Sequence, residues 1–462
     1  MIDKNSLLKT DFRLPNLVKI IVIMMGVIVF NPLATAADIA RAPLDSVDVA
    51  WAQAKAQSTL IWQDKPAFAA AYSGANSLSP YAEQGYSLSG TAYLGARVLR
   101  HTEIYLNPET ISTRALSNGL GLGGLTNGEN QKGSFEQPQF YLARAFIRQT
   151  WNLGGETTHI DADQNQLADV VDKRRIVLTA GKYAVTDIFD TNTLADDPRT
   201  QFMNWSFIAD GAYDFASEAK GYSVGAALEF YMDDWVVRMG RFEQPAESNG
   251  ATLDPRVFRH YGDQLEIEHN HMIFGQTGSI KILAFHNRSN MGSFQDALNL
   301  WRTQGEVGVP SVAAVRRNQT KTGYALNMTQ NLTPITGVFF RLSKNDGAQE
   351  TYAFAKIEQQ LSAGIVAHGT NWGRPNDTVG LAYASNGLSK THQAYLKAGG
   401  LGAFLGDGTL SYAHENVFET YYSRLLTRIA TVSMDYQRIF HPGYNADRGP
   451  VNVFSTRLHV AF

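Results

Sequence analysis

The chain of 462 residues is 44% apolar and 18% charged, and its mean hydropathy of -0.22 is too polar for a bundle of membrane helices. With 40 basic against 43 acidic side chains, neither sign dominates, and a nucleic-acid partner is not indicated. Cysteine is absent, so an exported chain of this size must hold together without disulfides.

The first element reads as a targeting segment. Ile20 to Phe30 is apolar apart from Gly26, follows Lys4, Lys9, Arg13 and Lys19, and precedes Ala34-Thr35-Ala36. Basic, apolar and small-residue regions in that order make residues 1–36 a signal peptide. The run is too short to span a bilayer as a helix, which takes about 20 residues. Removing it leaves 36 basic and 41 acidic side chains. Residues 37–57 do not alternate and read as a periplasmic N-terminal extension, helical around Val49 to Ala56.

From residue 58 to the end, short alternating runs are separated by loops rich in Gly, Asn and Asp, the period-2 signal of strands. In chain order they lie near Thr59–Gln63, Gly85–Val98, His101–Asn107, Gln139–Trp151, Lys173–Tyr183 and Gly221–Tyr231. Next come Trp235–Phe242, Asp263–Ile273, Gly278–Arg288, Lys321–Gln330 and Thr336–Lys344. The last are Tyr352–Leu361, Thr378–Ser385, Glu415–Tyr422, Thr427–Phe440 and Val451–Phe462. That is sixteen, an even number, as bacterial barrels need to return both termini to the periplasmic side. Long loops are expected over 108–137, 184–220, 243–262 and 289–320.

Faces can be assigned within these runs. Phe454, Thr456, Leu458, Val460 and Phe462 oppose Ser455, Arg457, His459 and Ala461. Ala92, Leu94, Ala96 and Val98 oppose Thr91, Tyr93, Gly95 and Arg97, and Leu265 and Ile267 oppose Gln264, Glu266 and Glu268. Tyr141, Ala143, Ala145 and Ile147 oppose Leu142, Arg144, Phe146 and Arg148. A lipid-facing sheet must close, because no backbone group can stay unpaired in hydrocarbon. Alternation alone does not say whether the charged face points in or out. The signal peptide and terminal Phe462 favour a transmembrane antiparallel β-barrel in the outer membrane, all-β, with loops partly folded into the lumen.

Three motifs resemble catalytic or metal sites. Gly221-Tyr222-Ser223-Val224-Gly225 has the spacing of a hydrolase nucleophile elbow but opens a strand instead of a helix. Gly119, Gly121 and Gly124 have a dinucleotide-loop spacing without the flanking strand and helix. His269 and His271 share a face with no third ligand at a telling distance. No cofactor, metal or catalytic residue is expected.

Several blocks resemble the OprB-type carbohydrate-selective porins. They are 102–109, 127–133, 141–151, 197–213, Gly406-Asp-Gly408 ahead of Tyr412, and above all the closing segment 444–462. The resemblance implies a sixteen-stranded barrel (residues 58–462) with inward-folded loops and passive diffusion of sugars. A sugar is uncharged, with hydroxyls on its edges and less polar ring faces, so its pore needs close-set donors and acceptors beside aromatic rings.

By face, the inward candidates are Arg97, Glu103, Arg144, Arg148, Lys182, Arg238, Glu266, Glu268 and Arg457; from the long loop come Asp197, Arg199 and Trp205. The expected partners are sugars, outer-membrane lipids and, through the C-terminal strand, the barrel-assembly machinery. Rival readings are a general or acid-selective porin, an outer-membrane barrel enzyme, and a secreted soluble β-protein.

Overall fold

The computed structural model describes residues 50–354 and 356–462; the expected signal peptide lies outside them. The strands are β1 (Ala52–Lys65), β2 (Glu83–Leu99), β3 (Thr102–Arg114), β4 (Phe135–Asn152), β5 (Thr157–Ile160) and β6 (Asp169–Asp172). Then follow β7 (Arg175–Tyr183), β8 (Ser223–Met232), β9 (Trp235–Glu243), β10 (Tyr261–Ile273), β11 (Gln276–Met291) and β12 (Arg317–Thr333). The last are β13 (Thr336–Asn345), β14 (Gln359–Gly369), β15 (Arg374–Gly387), β16 (Glu415–Thr427), β17 (Ala430–Phe440) and β18 (Val451–Ala461).

All but β5 and β6 form one closed antiparallel barrel, each strand beside its chain neighbours and β1 closing against β18. In that seam Gln57 pairs with Ala461, Leu60 with Leu458 and Asp64 with Phe454. The Phe462 N–H donates to the Ala56 carbonyl at 3.0 Å, so the final residue completes the ladder.

The faces settle the polarity that alternation left open. Leu94, Ile104, Leu265, Ile267, Ile282, Leu342, Leu381 and Phe454 stand exposed on the outer wall. The alternate positions turn inward: Arg341 is 0% and Arg457 1% exposed, and Lys65, Lys321 and Glu266 are buried with them. Charge inside and aliphatic groups outside suit a barrel whose outer solvent is hydrocarbon; a lysine or arginine on the outer face costs about 2–4 kcal/mol at mid-membrane. Among the described residues no helix is long and apolar enough to cross a membrane.

At the end holding both termini, six of the seven turns have two to four residues; the seventh, residues 153–174, carries the β5–β6 hairpin. Short turns mark the periplasmic end of bacterial barrels. The opposite end carries long loops that fold inward and are tied to the wall. Asp214, on the loop 184–222, accepts the Lys321 ammonium at 3.1 Å and the N–H groups of Tyr352, Ala353 and Phe354 at 3.0, 2.9 and 3.0 Å. Burial works against its charge, but these donors hold its pKa below the usual carboxylate range. The Glu415 carboxylate accepts the N–H groups of Gly123 and Gly124 at 3.0 Å and of Gly443 at 2.8 Å. The glycine spacing around Gly121 therefore binds a carboxylate of its own barrel. Gly121 sits at φ +77°, and a Cβ there would fall 1.8 Å from the Leu78 nitrogen.

Each expected strand overlaps a barrel strand, with four differences. The residues around Val49 to Ala56 read as helical are strand from Ala52 on. The strand expected over Tyr352–Leu361 lies later, at Gln359–Gly369, because Asp214 takes the N–H groups of residues 352–354 that a ladder would need. The β5–β6 hairpin was not expected. The loop expected to open at Pro108 begins only after Arg114. Pro108 lies inside β3, where its missing N–H breaks the ladder: Asn107 pairs with Arg144 and Pro108 with Leu142, leaving Ala143 bulged. The bulge swaps faces, so Tyr141 and Ala143 turn inward with Arg144, Phe146 and Arg148, while Leu142 and Ile147 face out.

Candidate functional site

Where the inward loops meet the wall of β2, β3, β4 and β7, they leave a cavity of about 600 Å³, within the roughly 300–1,000 Å³ typical of small-molecule sites. One part of its wall is a charge cluster centred on Arg199. The guanidinium donates through Nε to Glu129 at 2.8 Å, through Nη2 to Glu109 at 3.3 Å and through Nη1 to the Tyr93 hydroxyl at 3.3 Å. Burial opposes the Arg199 charge, but Glu129 and Glu109 raise its pKa further still. Glu109 also accepts hydroxyls from Thr91 at 2.6 Å, from Tyr222 at 3.0 Å and from Tyr141. Beside it Arg144 makes a two-bond fork to Asp187, 2.7 Å each, with its guanidinium 5.1 Å from the Tyr222 ring centre.

A second part is aromatic. Trp205 opens the short helix α1 (Trp205–Ile208), whose N-cap is the Asn204 side chain accepting from Ser206 N–H. Its ring stacks on Phe354 at 5.2 Å and 9°, and Phe354 lies 4.4 Å from Phe215. Phe146 lines the cavity too, stacked on Tyr105 at 5.0 Å.

Six lining side chains carry a buried polar atom without a hydrogen-bond partner among the described residues: Arg144 Nη1, Lys132 Nζ, Trp205 Nε1, Thr179 Oγ1, Gln131 Oε1 and Asn165 Oδ1. A buried unpaired polar group costs about 1–3 kcal/mol, and a solute dense in hydroxyls would satisfy donors and acceptors alike.

The sequence profile described as "Carbohydrate-selective porin, OprB family" matches residues 91–462. The chain belongs to the OprB family.

Among solved structures it is similar to the high-pH structure of Pseudomonas putida OprB, with a TM-score of 0.68 and 15% identity over 89% of this chain and 94% of that one. Pseudomonas aeruginosa OccK2 (OpdF) lies further off, at a TM-score of 0.43 and 9% identity over 89% and 97% of the two chains. No curated protein matches the chain. As a member of the OprB family it is a carbohydrate-selective channel of the outer membrane, and it passes solutes passively rather than acting as an enzyme.

Within this OprB-family barrel, five of the expected site residues line the cavity: Arg144, Arg148, Asp197, Arg199 and Trp205. Arg148 donates to the Asn165 carbonyl at 2.9 Å, and Asp197 accepts the Arg199 N–H at 3.0 Å, fixing the loop. The others lie outside the cavity lining. Arg97 pairs with Glu103 at 2.7 Å and with Asp169 at 3.0 Å. Arg238 bridges Glu229, Glu266 and Glu268 at 2.9, 2.8 and 2.6 Å. Arg457 donates to the carbonyls of Pro198 and Gln201, both at 2.7 Å, and Lys182 points toward Tyr222. Apart from Lys182, these groups tie lumen elements together.

Tyr93, Glu109, Glu129, Tyr141, Asp187 and Tyr222 were missed. Tyr93 shares the Arg97 face of β2, so the face rule alone would have included it. Pro108 hid both Glu109 and Tyr141. The lookalike Ser223 opens β8 and donates to the Glu243 carbonyl at 2.7 Å, and among the described residues no group of three or more metal-ligating side chains forms.

Two lining groups outside the strands titrate near neutrality. Burial pushes Lys132 down to about 8 against the pull of Asp214 and Glu218. Burial also pushes Asp196 up to about 8, with Arg341 and Lys281 opposing and Asp190 and Asp197 reinforcing. Raising the pH through that value removes a positive charge and adds a negative one. Cation preference is expected to grow between roughly pH 7 and pH 9. Reversal potentials in a KCl gradient read the change, and the double variant Lys132→Gln with Asp196→Asn should flatten it.

Proposed function

We propose that this cavity is the selective segment of the pore and that it prefers single sugars. Arg144, Arg148, Arg199 and Trp205 serve as contacts, and Asp197 shapes the loop that presents them. The observation that carries the reading is the set of unpartnered donors and acceptors beside stacked rings. Hydroxyls would bond to the former, while the C–H face of a pyranose would lie on the latter. Both signs of charge are present, so the site does not collect ions of one sign. Binding must stay weak for flux to continue. Arg97, Glu103, Arg238, Glu266, Glu268 and Arg457 act indirectly, by holding the lumen elements in place.

On the same reading, residues 1–36 are removed on export. The outward aromatic and aliphatic groups of β18 meet outer-membrane lipid and are read by the assembly machinery. The experiment is liposome swelling with glucose, a neutral amino acid and a dicarboxylate of similar size. Glucose should enter fastest, and Arg144→Ala or Arg148→Ala should lower its rate while heat-modifiable folded barrel remains. Equal rates for all three solutes would favour a general porin.

A further inference from the structure

Residues 153–174 break the pattern of the periplasmic end. The ladder of β5 and β6 pairs Thr157 with Asp172 and Ile160 with Asp169. Beyond it Asp163 and Gln166 bridge across a two-residue turn, with Asn165 at φ +54°, a left-handed conformation that asparagine tolerates. This tip does not hang in the periplasm. Residues 163–166 line the same cavity as the loops that enter from the opposite end.

The arm is fastened to four successive barrel strands. Gln53 on β1 donates to the Asp163 carbonyl at 2.9 Å, and the Gln164 amide donates to Gln57 at 2.9 Å. Arg97 on β2 holds Asp169 at 3.0 Å. The Tyr105 hydroxyl on β3 accepts the Leu167 N–H at 3.0 Å, and Leu167 is buried. Arg148 on β4 holds the Asn165 carbonyl at 2.9 Å. A free turn needs no such set of bonds. Ordering these residues costs about 1–2 kcal/mol each in backbone entropy, which the bonds and the buried leucine offset.

We propose that this arm is a second sieve, in series with the inward loops of the opposite end. It sets the exit width of the pore and presents the polar tip Gln164-Asn165-Gln166 to a departing neutral polyol. Only the identity of the solute rests on the sugar reading; the narrowing does not. Arg97 and Glu103 thereby gain a role as positioning residues, since they fix the arm rather than touch solute.

The chain has no cysteine, so Gln164→Cys provides a single reactive site. Treatment with a bulky thiol-specific thiosulfonate should cut the single-channel KCl current of that variant and leave the unmodified parent unchanged. Conversely, replacing residues 157–172 by a short Gly-Asn turn should raise KCl conductance by about twofold or more and raise the swelling rate for a disaccharide relative to glucose. An unchanged current after complete modification, confirmed by mass, overturns the proposal. So does unchanged conductance in an arm-less barrel that is still heat-modifiable. If the arm-less chain does not assemble, the cysteine variant decides alone. Because KCl is the probe, failure here is distinct from failure of glucose selectivity.

Discussion

Arg341→Ala is expected to raise single-channel conductance several-fold and to abolish discrimination by solute size, in a barrel that still shifts on heating. The side chain is 0% exposed on β13 and reaches across to the loop 184–222. Its Nη1 donates to the carbonyls of Ala195, at 2.8 Å, and Phe207; its Nη2 donates to the Asp190 carbonyl at 3.2 Å, and its Nε lies 3.6 Å from the Asp190 carboxylate. Alanine would leave three carbonyls and a carboxylate buried without their cation. Breaking a buried pair from one side typically costs about 3–5 kcal/mol. The ladders of β13 with β12 and β14 do not involve the guanidinium, so the cost falls on the loop. Lysine keeps the charge but not the fork, and Arg341→Lys should be intermediate. Unchanged conductance in Arg341→Ala would mean that the other anchors of this loop, Asn327, Glu419, Lys321 and Arg457 among them, hold it without the guanidinium.

The second large effect belongs to Arg199→Ala. Glu109 and Glu129 are 5% and 8% exposed, and Arg199 is the cation within ion-pair distance of both. Its loss leaves two buried carboxylates facing each other across the space the guanidinium filled. Hydrogen bonds to charged groups contribute about 1.5–3 kcal/mol each, and every 1.4 kcal/mol is about tenfold in affinity. The glucose concentration for half-block of the current should rise roughly tenfold or more. Chloride permeability should fall as well. A variant with unchanged half-block and a smaller chloride permeability would make Arg199 an electrostatic element only.

Much of this was legible in the chain itself, because period-2 alternation maps directly onto a barrel wall. The strands from Gly85–Val98 to Val451–Phe462 were visible in outline for that reason. Counting put Arg457, Glu266 and Arg97 on the charged face, and the signal peptide with the terminal Phe462 made that face the lumen. What the pattern does not encode is how inward segments are bound. Tyr352, Phe354 and Ile357 looked like a strand because burial inside a plug selects the same apolar residues. Asp214, far away in sequence, takes the N–H groups of Tyr352, Ala353 and Phe354. Pro108 was the one local signal of the β3–β4 bulge; reading it as a loop start put Tyr141 on the wrong face and left Glu109 unexamined. The β5–β6 arm is polar and short, so its packing depends on long-range bonds from Gln53, Arg97, Tyr105 and Arg148.

Whether a built polyol site lies inside this OprB-family pore is read by block of the single-channel KCl current by glucose. A saturable fall in current is expected as glucose is added, weakened in Arg144→Ala and in Arg199→Ala. A fall that only tracks the bulk conductivity of the sugar solution, without saturation and equal in the wild type and both variants, would contradict it.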